Sequence, residues 1–472
     1  MPSASLHIQS TRTRFRGVLS DSTLDAVARR SRFIRRERVV SAASIFWAFM
    51  VTLGAQPMEY ISDVLRTLNA QRGLALRYKP FWNRLAQPAF CRFMKVMFAN
   101  LCRDLVAQVL TSAKGSVSGY FSDILLDDGS SFAVASGLRT VFPGRFTKLT
   151  PAAVELHAHM SLRTGTPCNV VLAPDKEAER QFLPPAHTLP RRSLSLRDRG
   201  YVDLEYFEAL AETEAFLICR ASNTLNPTIV RVLGGLPKRA AKRWEGQTLQ
   251  TLRKSKLRHD LDLQVSWPRK RGRSLQLRLV IRYVREKNSW TWLLTNLPPD
   301  FSADDIGQLY RLRWQIELLF KDWKSYANLH ALQSEHPSIV EGFIWASLCA
   351  AFLKRSVASF SQLVLARPIS TRLVAMAGPH LLPMLAHWAQ RGFPISLLRR
   401  ILLFVAANAR PTHPERRGPR DILGLRPSGC PTSQTSCRRK RPPGTPPKGT
   451  TYETELKNRL VEEILLRAAT AR

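Results

Sequence analysis

The sequence is short of two things, paired cysteines and acidic charge. Its seven cysteines (Cys91, Cys102, Cys168, Cys219, Cys349, Cys430 and Cys437) are scattered without a CxxC pair, which gives no disulfide framework or zinc ribbon and points to a reducing compartment. No apolar run is expected to reach the length of a bilayer-spanning helix; the stretch AASIFWAFMVTLGA, Ala42 to Ala55, reads as a buried helix instead. The arginine-bearing N-terminus has no apolar segment followed by a cleavage site, so secretion is not signalled. Internal repeats are absent as well. Asp and Glu number 36 against 71 Lys and Arg, a net charge of +35, and such an imbalance is expected of a protein that holds polyphosphate backbones. With 44% hydrophobic residues the chain is no disordered polycation, and its 472 residues have room for roughly two to four domains. Nucleic acid is therefore the leading partner, and no membrane role is expected.

Residues 1–113 read as a helical, basic DNA-binding region. Nine arginines lie in the first 40 residues against Asp21, Asp25 and Glu37, and apolar residues recur at helical spacing in YISDVLRTLNA and FCRFMKVMFANLCRDLVAQVL. From Gly119 the period shortens to strands in GYFSDILLDDGSSFAVA, AAVELHAHMSL, CNVVLAP and LSLRDRGY, followed by a helix in DLEYFEALAETEA and a strand in FLICR. Strands in succession, then alternating with helices, predict a mixed α/β sheet over 114–222. The runs DLQVSW, SLQLRLVIRYV and WTWLLTN make 223–296 a β-rich insertion. The sheet domain resumes over 297–370 and a helical region follows over 371–410. Residues 411–449, rich in Pro, Arg and Lys, read as a disordered basic linker, and 450–472 as a short helix.

The densest chemistry lies in YRLRWQIELLFKDWKS, Tyr310 to Ser325. The surrounding segment opens on Ser302 as N-cap with Asp304 and Asp305 in the first turn, and is expected to run as one helix of about two dozen residues. At roughly 100° per residue, Tyr310, Arg313, Glu317, Lys321 and Lys324 fall within about 80° of one another, away from an apolar stripe of Leu312, Ile316, Leu319, Phe320 and Trp323. Such a stripe usually just faces water, with Arg313–Glu317 and Glu317–Lys321 pairs contributing about 0.3 kcal/mol each. Two more carboxylates stand near element ends, Asp128 after DILLD and Asp198 after LSLR. Taken singly, DDGS is an Asp-Gly turn and DRG a strand-to-helix turn. Together the three acids fit phosphodiester chemistry, in which carboxylates hold Mg²⁺ and paired ions assist the attacking and leaving oxygens. His157 and His159 share one strand face and could also bind metal, but a structural role is favoured because this chemistry prefers carboxylate oxygen.

These motifs resemble the bacterial insertion-sequence DDE transposases of the insertion sequence "four" and transposon "five" type. The family signature of Tyr, two residues, Arg, three residues, Glu, six residues and Lys is matched in full by Tyr310, Arg313, Glu317 and Lys324. DRGY, Asp198 to Tyr201, resembles the second aspartate region and LDDGSSF the first, where Asp128, just before Gly-Ser-Ser, fits better than Asp127. The resemblance spans roughly residues 119–355. It implies an RNase H-like α/β catalytic core with a β-rich insertion, flanked by helical regions. It further implies that Asp128, Asp198 and Glu317 are catalytic and hold two Mg²⁺ ions, with Mn²⁺ as a substitute. Tyr310, Arg313, Lys321 and Lys324 would contact DNA phosphates, and Trp292 would stack a displaced base, with an ordinary place in the strand core as the equal alternative for its ring. The implied activity is cutting of element ends at terminal inverted repeats and joining to target double-stranded DNA, by a homodimer in a synaptic complex in the bacterial cytoplasm, at the nucleoid. Two competitors remain: a catalytically inactive DNA-binding repressor or relic, and a metal-dependent nuclease that cuts without joining.

Overall fold

The computed structural model describes residues 4–36, 39–55, 60–221, 224–254, 260–270, 273–284, 289–327, 329, 333–411, 420, 423–428 and 430. The N-terminal part is helical: α1 (Ala4–Leu19), α2 (Asp21–Arg30), α3 (Ala42–Ala55), α4 (Ile61–Arg72), α5 (Tyr78–Leu85) and α6 (Pro88–Asp104). α3 is apolar on nearly every side and is buried accordingly.

A nine-stranded sheet comes next. Its strands are β2 (Ile124–Ala133), β3 (Ala153–Ser161), β4 (Thr166–Pro174), β5 (Leu194–Arg197), β6 (Phe216–Arg220), β7 (Thr228–Gly234), β8 (Leu261–Pro268), β9 (Ser274–Val284) and β10 (Ser289–Thr295). They lie in the order β4-β3-β2-β5-β6-β10-β9-β8-β7. β2, β5 and β6 are parallel neighbours, and the other pairings are antiparallel. The strands within 223–296 thus form no separate layer: β10 bonds directly to β6 and prolongs the same sheet.

Strand alternation divides the sheet between two cores. Ile124 and Leu126 of β2, Leu194 and Leu196 of β5, Ile218 of β6 and Leu293 of β10 join one core. That core is shared with α10 (Ala303–Arg311), α11 (Trp314–Tyr326) and α12 (Pro337–Leu365). Leu125, Leu217, Cys219, Trp292 and Leu294 face the other core, covered by α7 (Leu204–Ala211) and α9 (Leu249–Lys254), with α8 (Lys238–Lys242) between them in sequence.

Three expectations are corrected. The segment from Ser302 is two helices, not one: from Leu312 to Ile316 the backbone tightens to i→i−3 bonds, including Arg313 N–H to the Tyr310 carbonyl at 3.0 Å and Ile316 N–H to the Arg313 carbonyl at 3.1 Å. Leu425–Pro427, inside the supposed linker, is strand β11, antiparallel to β1 (Leu110–Ser112). The remainder of 411–449 is mostly, and 450–472 wholly, outside the described residues. Finally, α12 is 29 residues long and by length and composition apolar enough to cross a bilayer, although no such run was expected. Its most apolar window is 67% buried within the protein, against α6 and α3 among others. Gly342 makes one of these approaches: a Cβ there would lie 2.4 Å from the Phe90 ring of α6. α13 (Thr371–Met376), α14 (Gly378–Gln390) and α15 (Ile395–Asn408) close the helical side.

Candidate active site

The site forms where β5 stops and β2 continues. The two strands run parallel and in register until Asp127 pairs with Arg197. β5 then ends, Asp198 leads into a short 3-10 turn (Arg199–Tyr201), and β2 runs on against β3 alone. Asp128 and Asp198 are therefore the first residues past the last matched pair. The alternative of a plain Asp-Gly turn is not what forms, since Asp128 and Gly129 lie within β2.

Alternation sends the adjacent acids of β2 to opposite faces of the sheet. Asp128 has the parity of Leu126 and faces α11, where Arg313 Nη1 donates to its Oδ2 at 2.9 Å. The other arm of Arg313 bonds Glu317. One guanidinium thus joins Asp128 and Glu317, from the point at which the helical segment is tightened. The Tyr310 hydroxyl makes a long contact to Asp198 Oδ1 at 3.4 Å, and Arg220 Nη1 lies 3.9 Å from the same oxygen. Farther along α11, Lys321 is exposed and Lys324 half-buried. The structure brings Asp128, Asp198, Glu317, Tyr310 and Arg313 together.

It does not bring Trp292 to them. Trp292 is only 9% exposed, points into the core on the opposite face of the sheet, and has the Arg253 guanidinium 4.9 Å over its ring. The ring is thus a strand-core residue whose exposed side is already covered.

Electrostatics follow from this crowding. Burial pushes the Asp128 carboxyl up to about 6; Arg313 pulls it down, whereas Asp198 and Glu317 push it up. Burial opposes the Arg313 charge, but Asp128, Tyr310, Asp198 and Glu317 more than compensate and raise its pKa. Burial, then Asp198, raises the Tyr310 phenol.

Asp127 faces the other way and belongs to a buried polar network. Arg197, with no exposed surface, donates through Nε to Asp127 Oδ2 at 2.9 Å and through Nη2 to the Tyr206 hydroxyl at 2.9 Å. Ser195 donates to the same Asp127 oxygen at 2.7 Å, and His159 Nδ1 lies 2.6 Å from the other. Burial would raise the Asp127 pKa, but His159 and Arg197 outweigh it and hold the carboxyl well below its usual range. His159 is therefore engaged with a carboxylate, and His157 stacks on Phe182 at 4.1 Å. Neither Arg197 nor this network was anticipated from sequence; the signal was the repeated parity of Asp127, Ser195 and Arg197 on neighbouring strands.

The donor set of Asp128, Asp198 and Glu317, all carboxylate oxygen, suits a hard divalent cation. Two of these acids already share one cationic group, Arg313. Among the described residues no three His, Cys, Asp or Glu side chains are drawn close enough to form a ready metal cage. The fit thus lies in chemistry and charge, with Arg313 engaging the carboxylates that a cation would need.

Residues 122–353 match the family described as Transposase DDE domain. The chain is 24% identical over 455 residues to the transposase for insertion sequence element IS231E of Bacillus thuringiensis subsp. finitimus, covering 86% of this chain and 93% of that protein. It is 43% identical over 86 residues to the putative transposase InsL for insertion sequence element IS186A of Escherichia coli (strain K12), covering 18% of this chain and 22% of that protein. A piggyBac transposase synaptic complex with hairpin DNA superimposes with a TM-score of 0.41 at 12% identity, covering 96% of this chain and 89% of the other.

Proposed function

This chain belongs to the DDE transposases of bacterial insertion sequences, and from that premise we propose that Asp128, Asp198 and Glu317 are the carboxylates of its DNA cleavage and strand-transfer reaction. The carrying observation is the convergence of residues 128, 198, 310, 313 and 317 from the middle of β2, the end of β5 and the α10–α11 segment, through the Arg313 bonds to Asp128 and Glu317 and the Tyr310 contact to Asp198. The core is RNase H-like. In support, an antiparallel meander β4-β3-β2 continues into parallel β5 and β6, with the acids where β5 ends and on the signature helix.

The three carboxylates would hold Mg²⁺, which when bound supplies Lewis acidity to the phosphodiester oxygens. Arg313 has two tasks in this scheme. Without DNA it neutralises Asp128 and Glu317; with DNA its planar fork suits a phosphate. Lys321 and Lys324, exposed and half-exposed along the same helix, are placed to hold neighbouring phosphates as mobile point charges. The Tyr310 hydroxyl orients Asp198 and is available to a phosphate oxygen. The arginines of the first 40 residues supply contacts to the inverted repeats, and a homodimer pairs two ends in a synaptic complex in the bacterial cytoplasm, at the nucleoid.

The test uses purified protein, DNA carrying its own element's ends, and Mg²⁺. Wild type should yield cleaved and joined products, while Glu317→Ala should bind ends and yield neither. Equal activity in both removes Glu317 from the reaction. Cleavage without joining favours a nuclease, and binding without chemistry in wild type favours a relic.

A further inference from the structure

We infer that the Asp127–Arg197 ion pair is a positioning device for the two catalytic aspartates, setting Asp128 and Asp198 at their working separation although neither partner faces the DNA. The inference rests on the proposed assignment of Asp128 and Asp198 as reacting carboxylates.

Three observations carry it. The first is register: Asp127 and Arg197 are direct partners on parallel strands, each immediately preceding one aspartate. Theirs is the last pair before β5 ends, so the backbone ladder between the two strands does not extend to Asp128 and Asp198. A cross-link at this point controls the place where the strands would otherwise part.

The second is direction. Asp127 is 3% exposed and Arg197 0%, and their 2.9 Å bond is one of several that fix both groups. Ser195 and His159 saturate the Asp127 carboxylate, while Tyr206 of α7 takes the second arm of Arg197 and itself donates to the Pro184 carbonyl at 2.8 Å. β2, β3, β5 and α7 are thereby tied together by directional bonds one residue behind the reacting carboxylates.

The third is energetic. A buried ion pair gains little over well-packed apolar side chains of similar size, because both charges lose their hydration. Core filling does not require a charge pair here, whereas orientation does. A shift of about 1 Å at a reacting group can slow chemistry about 100-fold.

The test replaces both partners together, Asp127→Leu with Arg197→Met, so that no lone buried charge remains. Thermal melting and circular dichroism report the fold, and fluorescence anisotropy reports binding to element-end DNA. Free Mn²⁺ measured by electron paramagnetic resonance, without DNA, reports cation binding independently of turnover. The expected result is a folded protein with unchanged end affinity, Mn²⁺ binding weakened at least about fivefold, and cleavage slowed at least about tenfold. A folded double variant with wild-type Mn²⁺ affinity and cleavage overturns the inference. If the double variant does not fold, Arg197→Lys decides: it keeps the charge but cannot reach Asp127, Ser195 and Tyr206 together. Slowed cleavage with normal end binding then supports positioning, and wild-type rates overturn it. Asp128→Ala and Asp198→Ala are run alongside; if either retains cleavage, the site reading fails rather than the role of the ion pair.

Discussion

Gly129, one residue past Asp128, offers a sharp perturbation. Its φ is not positive, so alanine is conformationally acceptable there. The obstacle is a neighbour on β3: an added Cβ would sit 2.6 Å from Glu155 Oε1 and 3.2 Å from His157 Nδ1. Ordinary contact starts near 3.4 Å, so Glu155 must retreat by about 0.8 Å. It has little room, being 3% exposed and flanked by Arg145 Nη2 at 3.4 Å. Overpacking of this kind costs about 1–3 kcal/mol. Gly→Ala recovers about 0.4–1 kcal/mol by stiffening the unfolded chain, leaving a net loss of about 1–2 kcal/mol. With an unfolding entropy of about 1 kcal/mol/K for 472 residues, that should lower Tm by about 1–2 °C by differential scanning fluorimetry. Because the displaced backbone carries Asp128, single-turnover cleavage of end-labelled DNA should fall further, by about 10–100-fold. In a Glu155→Ala background the same substitution should cost under about 0.5 kcal/mol, since the obstructing oxygen is gone. An unchanged Tm and rate in Gly129→Ala, or an equal penalty with and without Glu155, would refute the reasoning.

Other perturbations separate roles within the sheet and helices. Arg313→Lys keeps a positive charge but cannot bond Asp128 and Glu317 as a fork; cleavage should fall about 10–100-fold with end binding nearly unchanged, and wild-type cleavage would remove Arg313 from the site. Trp292→Ala should cost about 3–5 kcal/mol in urea unfolding. Trp292→Phe should keep cleavage within about twofold, as no contact in the transition state is lost; a large cleavage defect in a stable Phe variant would restore a DNA role. Lys354, 2% exposed and donating to the Tyr326 carbonyl, has its ammonium pKa pushed down to about 8 by burial, with Asp322 opposing. Its folded pKa lies below the unfolded value, so the unfolded chain binds more protons between about pH 8 and 10.5, and stability attributable to this residue rises with pH across that window. Urea melts at pH 8 and 10 should show a gain on the order of 2 kcal/mol in wild type relative to Lys354→Met; identical pH slopes would discount it.

How far the sequence anticipated this site depends on the range of the interactions concerned. Spacing along one helix is a local property, so the common face of Arg313, Glu317 and Lys324 could be read directly, as could the strand preceding Asp198. The choice of sheet face is not local. Asp127 and Asp128 are chemically equal in the string, and only the pairing of β2 with β5 and β3 sends one toward Arg197 and the other toward Arg313. The side of the sheet that Trp292 faces was illegible for the same reason, since period two specifies alternation but not which side carries the signature helix. The tightened turns at Leu312–Ile316 escape helical periodicity, because both flanking segments keep an apolar stripe facing the same core. Strand β11 is three residues long within a basic, proline-rich stretch, and its pairing with β1 depends on a partner some 300 residues earlier.

The packing of α6 against α12 also has a bearing on how the chain is made. Roughly 230 residues separate the two helices in sequence, yet Phe90, Phe98 and Met94 of the first meet Gly342, Trp345, Cys349 and Phe352 of the second. At about 5–20 residues per second, a ribosome would expose the apolar side of α6 for roughly 10–50 s before its partner emerges. During that interval the early helices must be covered by chaperones or by one another. A messenger cut short between residues 317 and 337 would therefore yield a product already containing Asp128, Asp198 and Glu317 but lacking the helix that completes its interior, and such a fragment should be cleared by proteolysis before it reaches DNA.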